Sequence, residues 1–295
     1  MNRGLLYALL AYTIWGLFPL FWHLLHALPA TQLTAHRVVW SWAILVGVVV
    51  ASGQWRALRA ATNRGVLGRY AIAAILISIN WLIFIWAVNT DHIVETSLGY
   101  FINPLLSIFF GMVFFGERLR PLHWLSLGFA TAGVIYLTWH YGHIPWIALA
   151  LAMAFSLYGV VKKTAPLKSV FGLTLETSVL VVPALAYLWA YAQTGYGPPF
   201  SGDLHIDLLL PLTGFVTVAP LLLFGAAAQR IPLLLIGILQ YIAPTLQILL
   251  GTLYFHEAFS REQLTGFSLV WIALAIFVLS EWLTRRRRTA ATALS

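Results

Sequence analysis

The 295 residues contain no cysteine, so disulfides, thiolate metal sites and thiol nucleophiles are excluded together. Charge is nearly as scarce. Asp, Glu, Lys and Arg make up 9% of the chain, against ~25% in an average soluble domain. So little polar surface cannot coat a water-exposed globule, and a soluble enzyme or a secreted disulfide scaffold is ruled out. There is also no Walker motif, nucleophile elbow or H-E-x-x-H pair, so ATP drive, hydrolytic chemistry and a metal site have no support. The reading is of a protein that is not an enzyme and carries no cofactor.

Apolar residues are abundant, at 61% of the chain with a mean hydropathy of +0.86. A hydrocarbon core ~30 Å thick is crossed by ~20 apolar residues in a helix. Runs between charges predict about ten spans, near 4–25, 33–51, 70–88, 96–115, 122–139, 145–161, 170–191, 208–228, 233–254 and 265–283. They are too long and continuous for barrel strands, and lipid permits no unpaired backbone in between. The first run is too long for a signal-peptide core and contains Pro19, so it reads as part of the fold.

The net charge of +8 has a topological meaning rather than a nucleic-acid one. Threading ten spans from a cytoplasmic amino terminus puts Arg3, Arg56, Arg59, Arg64, Arg69, Arg118, Arg120, Lys162, Lys163, Lys168, Arg230 and the run Arg285 to Arg288 on one side. Only Arg37 and Arg261 fall elsewhere. Basic residues stay inside, which places both termini in the cytoplasm.

A shift of about 140 residues aligns the chain with itself. Pro104, Leu106, Ile108, Gly111, Phe115 and Glu117 fall on Pro244, Leu246, Ile248, Gly251, Phe255 and Glu257, and Leu33-Thr34 falls on Leu173-Thr174. The sequence therefore predicts an all-α integral membrane protein of ten transmembrane helices in two inverted five-helix repeats, 1–142 and 143–284, with a basic cytoplasmic tail at 285–295. Five is odd, so the second copy enters from the opposite side. Secondary transporters are often built this way, with the substrate near the midplane between repeats. Channels also use inverted repeats, so a passive pore stays open as the rival reading.

Specific stretches resemble a known family. AYTIWG at 11–16, HRVVWS at 36–41, NWLIFIWAVN at 80–89 and ETSLGYFINPL at 95–105, with GLTLET at 172–177, APLLLF at 219–224 and LQYIAPT at 239–245, together resemble the RarD branch of the EamA-type drug/metabolite transporters over nearly the whole chain. The resemblance implies a ten-helix carrier of the bacterial inner membrane, exporting a small organic metabolite or drug. Two positions depart from the branch pattern: His23 stands where a basic residue is common, and Gln32 where an acidic one is.

Intramembrane ionisable groups are functional candidates by default. Glu176 lies about two turns into span seven; His36 is its counterpart in the repeat, with Arg37 beside it; Glu95 opens span four. These four and Lys163 are the gating or coupling candidates. Against that stand a snorkelling Arg37 and a Glu176 paired with Lys162 or Lys163. Asn80, Asn103 and Gln240 can hydrogen-bond a polar solute or bridge helices. Tyr12, Trp15, Trp81, Tyr100, Tyr158 and Tyr241 sit deep enough to face a cavity, where a phenol or indole finds a partner, or to serve as packing. Glu117 and Glu257 read as equivalent helix-end residues with a structural role. The expected partners are an aromatic or amphiphilic small-molecule substrate and the lipid bilayer, with a second copy of the chain as a candidate; nucleic acid is not expected.

Overall fold

The computed structural model describes residues 3–25, 28–90, 92–141, 144–193, 203–256 and 260–293, except for the side chains of 88, 89, 93–95, 97, 141, 281, 282 and 284–293. Every regular element among them is a helix: α1 (Arg3–His23), α2 (Ala30–Ala51), α3 (Trp55–Ala61), α4 (Arg64–Asn89), α5 (Ile93–Phe115), α6 (Pro121–Tyr141), α7 (Trp146–Thr164), α8 (Ser169–Gln193), α9 (Leu204–Ala228), α10 (Leu233–Gln240), α11 (Ile242–Leu253) and α12 (Arg261–Ala293). Nine stretches among the described residues are long and apolar enough to cross a membrane. One of them, Leu233–Leu253, combines α10 and α11, and α6 is not among the nine. The α6 segment carries His123, Trp124, Ser126, Thr131 and His140, which dilute its apolar character although its 21 residues reach ~30 Å at ~1.5 Å each.

Two features were not anticipated by the apolar runs. The short α3 packs only Leu58 inward, and seven residues are too few for a periodic signal. The ninth apolar run is broken at Tyr241 between α10 and α11. Pro244 lacks an N–H and its ring crowds the carbonyl one turn back, that of Gln240, which disrupts the helix there. Pro104 does the same to Tyr100 within α5, which remains one helix.

The distribution of side chains is that of a bundle in lipid. Val113, Val182 and Phe215 are 58%, 68% and 61% exposed, whereas Gln32, His36, Lys162, Glu176 and Gln240 are buried. In water such an apolar exterior would be an aggregation surface. Without a hydrophobic drive between helices in lipid, small residues set the close approaches. Gly214 of α9 lies against the Trp40–Ser41 backbone of α2, Gly237 of α10 against the Pro104 carbonyl of α5, and Gly133 of α6 against the Gly266 carbonyl of α12.

The main helix contacts form a regular pattern. Match α1, α2, α4, α5 and α6 with α7, α8, α9, α10–α11 and α12 respectively. Then α4 with α7 exchanges with α1 with α9, α5 with α7 exchanges with α1 with α11, and α2 with α9 exchanges with α4 with α8. The pairs α2 with α8, α5 with α10 and α6 with α12 map onto themselves. These matches are those of the sequence shift. In keeping with it, the Tyr241 hydroxyl donates to the carbonyl of Phe101, its own counterpart, at 3.2 Å.

The glycine contacts can be tested directly. A β-carbon on Gly214 would meet the Trp40 carbonyl carbon at 2.5 Å and the Ser41 nitrogen at 2.7 Å, whereas one on Gly128 meets nothing within 4 Å. Gly214→Ala is expected to destabilise the fold by about 1–3 kcal/mol through overpacking. Gly128→Ala should be neutral or stabilising by up to ~1 kcal/mol. Thermal unfolding of the two variants in detergent micelles checks the difference.

Candidate functional site

A cavity of about 400 Å³ lies between helices of both sequence halves, within the size range of small-molecule sites. Its wall runs from Tyr12 to Trp22 on α1 and takes in Arg37 of α2, Asn80 and Trp81 of α4, and Thr96 to Asn103 of α5. The second half contributes Phe155 of α7, Thr217 of α9, and Gln240 to Gln247 of α10 and α11. It thus extends from mid-bundle toward the end where α1 finishes and α2 begins.

Of the sequence candidates, Tyr12, Trp15, Asn80, Trp81, Tyr100, Asn103, Gln240 and Arg37 line this one space. Tyr158, Tyr241, His36, Lys163 and Glu176 do not line it. His36 and Tyr241 are buried in the packing, and the Glu95 side chain lies outside the described residues. Residue types alone did not single out Trp22, Phe155, Thr217 and Gln247, which also line the cavity. Gln247 was detectable as a polar residue in an apolar run. Thr217 carries no local signal, because its partner is 180 positions away in the chain.

The polar wall is held by its own hydrogen bonds. Asn80 Nδ2 donates to the Leu151 carbonyl at 2.9 Å, and Gln247 Nε2 to the Trp15 carbonyl at 3.2 Å. Ser156 Oγ donates to Asn103 Oδ1 at 2.6 Å, and Ser107 Oγ to Gln240 Oε1 at 3.2 Å. These bonds fix the orientation of the amides. The Tyr12 hydroxyl is buried beside the Gln240 side chain, outside the geometry of a well-formed hydrogen bond.

Below the cavity the aromatic residues form a floor. Trp15 meets Phe155 edge-on at 5.8 Å, Phe155 meets Phe224 at 5.3 Å, and Tyr158 stacks on Phe224 at 5.9 Å. Beneath them Lys162 Nζ lies 2.6 Å from Glu176 Oε1, both side chains almost fully enclosed. The Tyr158 hydroxyl donates to the other carboxylate oxygen at 3.0 Å, and Lys162 Nζ sits 5.5 Å from the Tyr158 ring centre. A void of about 10 Å³ separates Glu176 and Tyr158 from Thr217 and Trp81, on the scale of one water molecule.

The far end is tied together across helices. Glu117, after α5, accepts from the Leu233 and Leu234 amides at 2.8 Å each, capping the bare amino end of α10 with a carboxylate. Lys163 Nζ lies 3.3 Å from the same carboxylate and donates to the Ile231 carbonyl at 2.9 Å. Gln229 Nε2 donates to the Leu167 carbonyl at 2.8 Å, joining the end of α9 to the loop before α8. Glu257, the counterpart of Glu117, lies outside the described residues.

A multi-pass helical bundle with a mostly apolar cavity, open toward one end and carrying polar anchors, fits a membrane protein of the transporter class. Comparison with known proteins narrows the class. The pattern of the EamA-like transporter family matches residues 2–139. The chain is 47% identical to Protein RarD of Streptomyces exfoliatus, covering 98% of this chain and 92% of that one. It is 44% identical to the uncharacterized transporter YojE of Bacillus subtilis, with 95% of each covered, and 41% identical to Protein RarD of Escherichia coli, with 97% of each covered. A solved structure titled only "Crystal structure of protein" shares the fold at a TM-score of 0.71 and 22% identity, covering 94% of this chain and 98% of that one. The chain belongs to the EamA-like transporter family, in its RarD branch.

The enclosed ion pair generates a stability prediction. Glu176→Gln leaves the Lys162 ammonium enclosed without its counter-charge, a change that costs about 3–5 kcal/mol where such pairs are broken from one side. Adding Lys162→Met should restore most of that loss, because removing both charges together is often close to neutral. Unfolding midpoints of the wild type, the single variant and the double variant decide this.

Proposed function

We propose that the chain is a ten-span secondary carrier of the bacterial inner membrane, built from two inverted five-helix repeats, with α6 as the fifth crossing and both termini in the cytoplasm. It exports a small organic metabolite or drug, flat and partly apolar, by alternating access. Residues 1–142 and 143–284 are the repeats, and 285–295 form a basic cytoplasmic tail. The names of the relatives support transport rather than catalysis.

The observation that carries the reading is the cavity itself, walled by both halves and stopped short at mid-bundle. The pattern of helix contacts supports the repeat, because two near-equivalent halves can exchange arrangements. With the basic loops inside, the cavity faces outward. The Lys162–Glu176 pair, the aromatic floor and the Glu117–Lys163 clamp then form the inner barrier. Glu176 and Lys163 act as gate residues, while Tyr12, Trp15, Asn80, Trp81, Tyr100, Asn103 and Gln240 contact the solute. For the inner path to open, these contacts part while equivalent ones form on the outer side.

Export is tested by comparing metabolites released by cells that overexpress or lack the protein, followed by uptake of the affected compounds into proteoliposomes. A carrier gives saturable rates and accelerated exchange when unlabelled solute is loaded inside. Linear flux without exchange would identify a pore and overturn the proposal.

A further inference from the structure

The guanidinium of Arg37 lies between two indole faces, 4.8 Å from the Trp22 ring centre and 4.9 Å from that of Trp81. Its Nε donates to Thr217 Oγ1 at 3.1 Å, and the residue forms part of the cavity wall. Ring contacts of this kind act on the face of the cation and do not consume the in-plane N–H donors of the fork. Among the described residues no carboxylate lies within ion-pairing distance of Arg37. The other cations inside the bundle near the floor are paired: Lys162 with Glu176, and Lys163 with Glu117. A guanidinium stays charged in a protein, and a charge withdrawn from water without a partner is unfavourable. Among the described residues the cavity wall therefore carries one cation and no carboxylate, with the cation oriented by Thr217 and flanked by aromatic surface.

We infer that the cavity selects organic anions, with Arg37 binding a carboxylate or sulfonate head group and the aromatic wall holding a flat apolar body. The fork of the guanidinium matches the paired oxygens of such a group. The Tyr12 hydroxyl, buried beside Gln240, is a second polar contact deeper in the same space. Trp15 and Phe155 supply the surface on which the body of the solute rests. The inference rests on the reading of this cavity as the transport site, and it gives that site a charge preference which neither the apolar wall nor the family requires.

The test uses the full-length protein in lipid nanodiscs and matched probes: benzoate, benzenesulfonate and indole-3-carboxylate against benzamide, benzenesulfonamide and indole-3-carboxamide. Equilibrium dialysis is expected to show at least one anion bound about tenfold or more tightly than its neutral partner, as charge-assisted hydrogen bonds predict. Arg37→Gln should reduce that preference to about twofold or less, whereas Arg37→Lys should retain part of it. Thr217→Val keeps the charge but releases its orientation, so it should lower anion affinity and preserve the sign of the preference. Equal binding of acids and amides by the wild type would overturn the inference without relying on any variant, as would an unchanged preference in a folded Arg37→Gln protein. In proteoliposomes, saturable exchange of the neutral amides with no advantage for the acids would leave the carrier reading in place and remove the charge preference. Unsaturable flux of both would remove the carrier reading instead.

Discussion

Lipid supplies no hydrogen bonds, so every polar group drawn into the bundle must find its partner within the protein. That constraint orders the interior. Glu176 is matched to Lys162 and Tyr158, Glu117 to the amides that open α10, and Asn103 to Ser156. The Ser126 hydroxyl reaches the Ala273 carbonyl at 2.7 Å, fastening α6 to α12 where glycines already allow close approach. Against so consistent a rule the exceptions stand out. Trp40 Nε1, Ser169 Oγ and the Tyr12 hydroxyl are buried without a well-formed hydrogen bond, and of these three only Tyr12 belongs to the cavity wall.

The same rule explains the division of the molecule along its length. On one side of the aromatic floor, polar groups bind one another across helices and join α5, α7, α8, α9 and α10 into a tied end. On the other, the cavity-wall amides are held by backbone carbonyls, in the case of Asn80 and Gln247, or by serine hydroxyls, in the case of Asn103 and Gln240. Two prolines mark the boundary. Pro104 and Pro244 occupy equivalent positions, and each deprives the carbonyl one turn back of its usual donor. Those carbonyls belong to Tyr100 and Gln240, both of which line the cavity.

Nine crossing stretches among the described residues were legible, because a membrane imposes a length and a polarity on every crossing. What stayed hidden had no such signature. The seven residues of α3 carry too short a pattern, and the break at Tyr241 depends on how one proline is accommodated. Depth was legible from position along a span, but direction around the helix was not. Tyr241 follows Gln240 directly, yet the ~100° turn between neighbouring residues puts one on the wall and the other against Phe101. Tyr158 lies at a suitable depth too, and its hydroxyl is spent on Glu176. Arg37 was recognisable as an intramembrane cation. Its setting between Trp22 and Trp81 was not, since those residues come from α1 and α4 and meet only in the folded bundle.

Alternating access, as proposed, requires one cavity to be exposed in turn at its two ends by exchange between equivalent halves. Spin-label distances across both mouths test it most directly, with one pair at Leu24 and Ile144 beside the cavity end and another at Arg118 and Thr164 beside the tied end. The account predicts two populations in which one distance lengthens as the other shortens, with solute shifting the balance between them. Both distances fixed while solute crosses, or both mouths open at once, would contradict it.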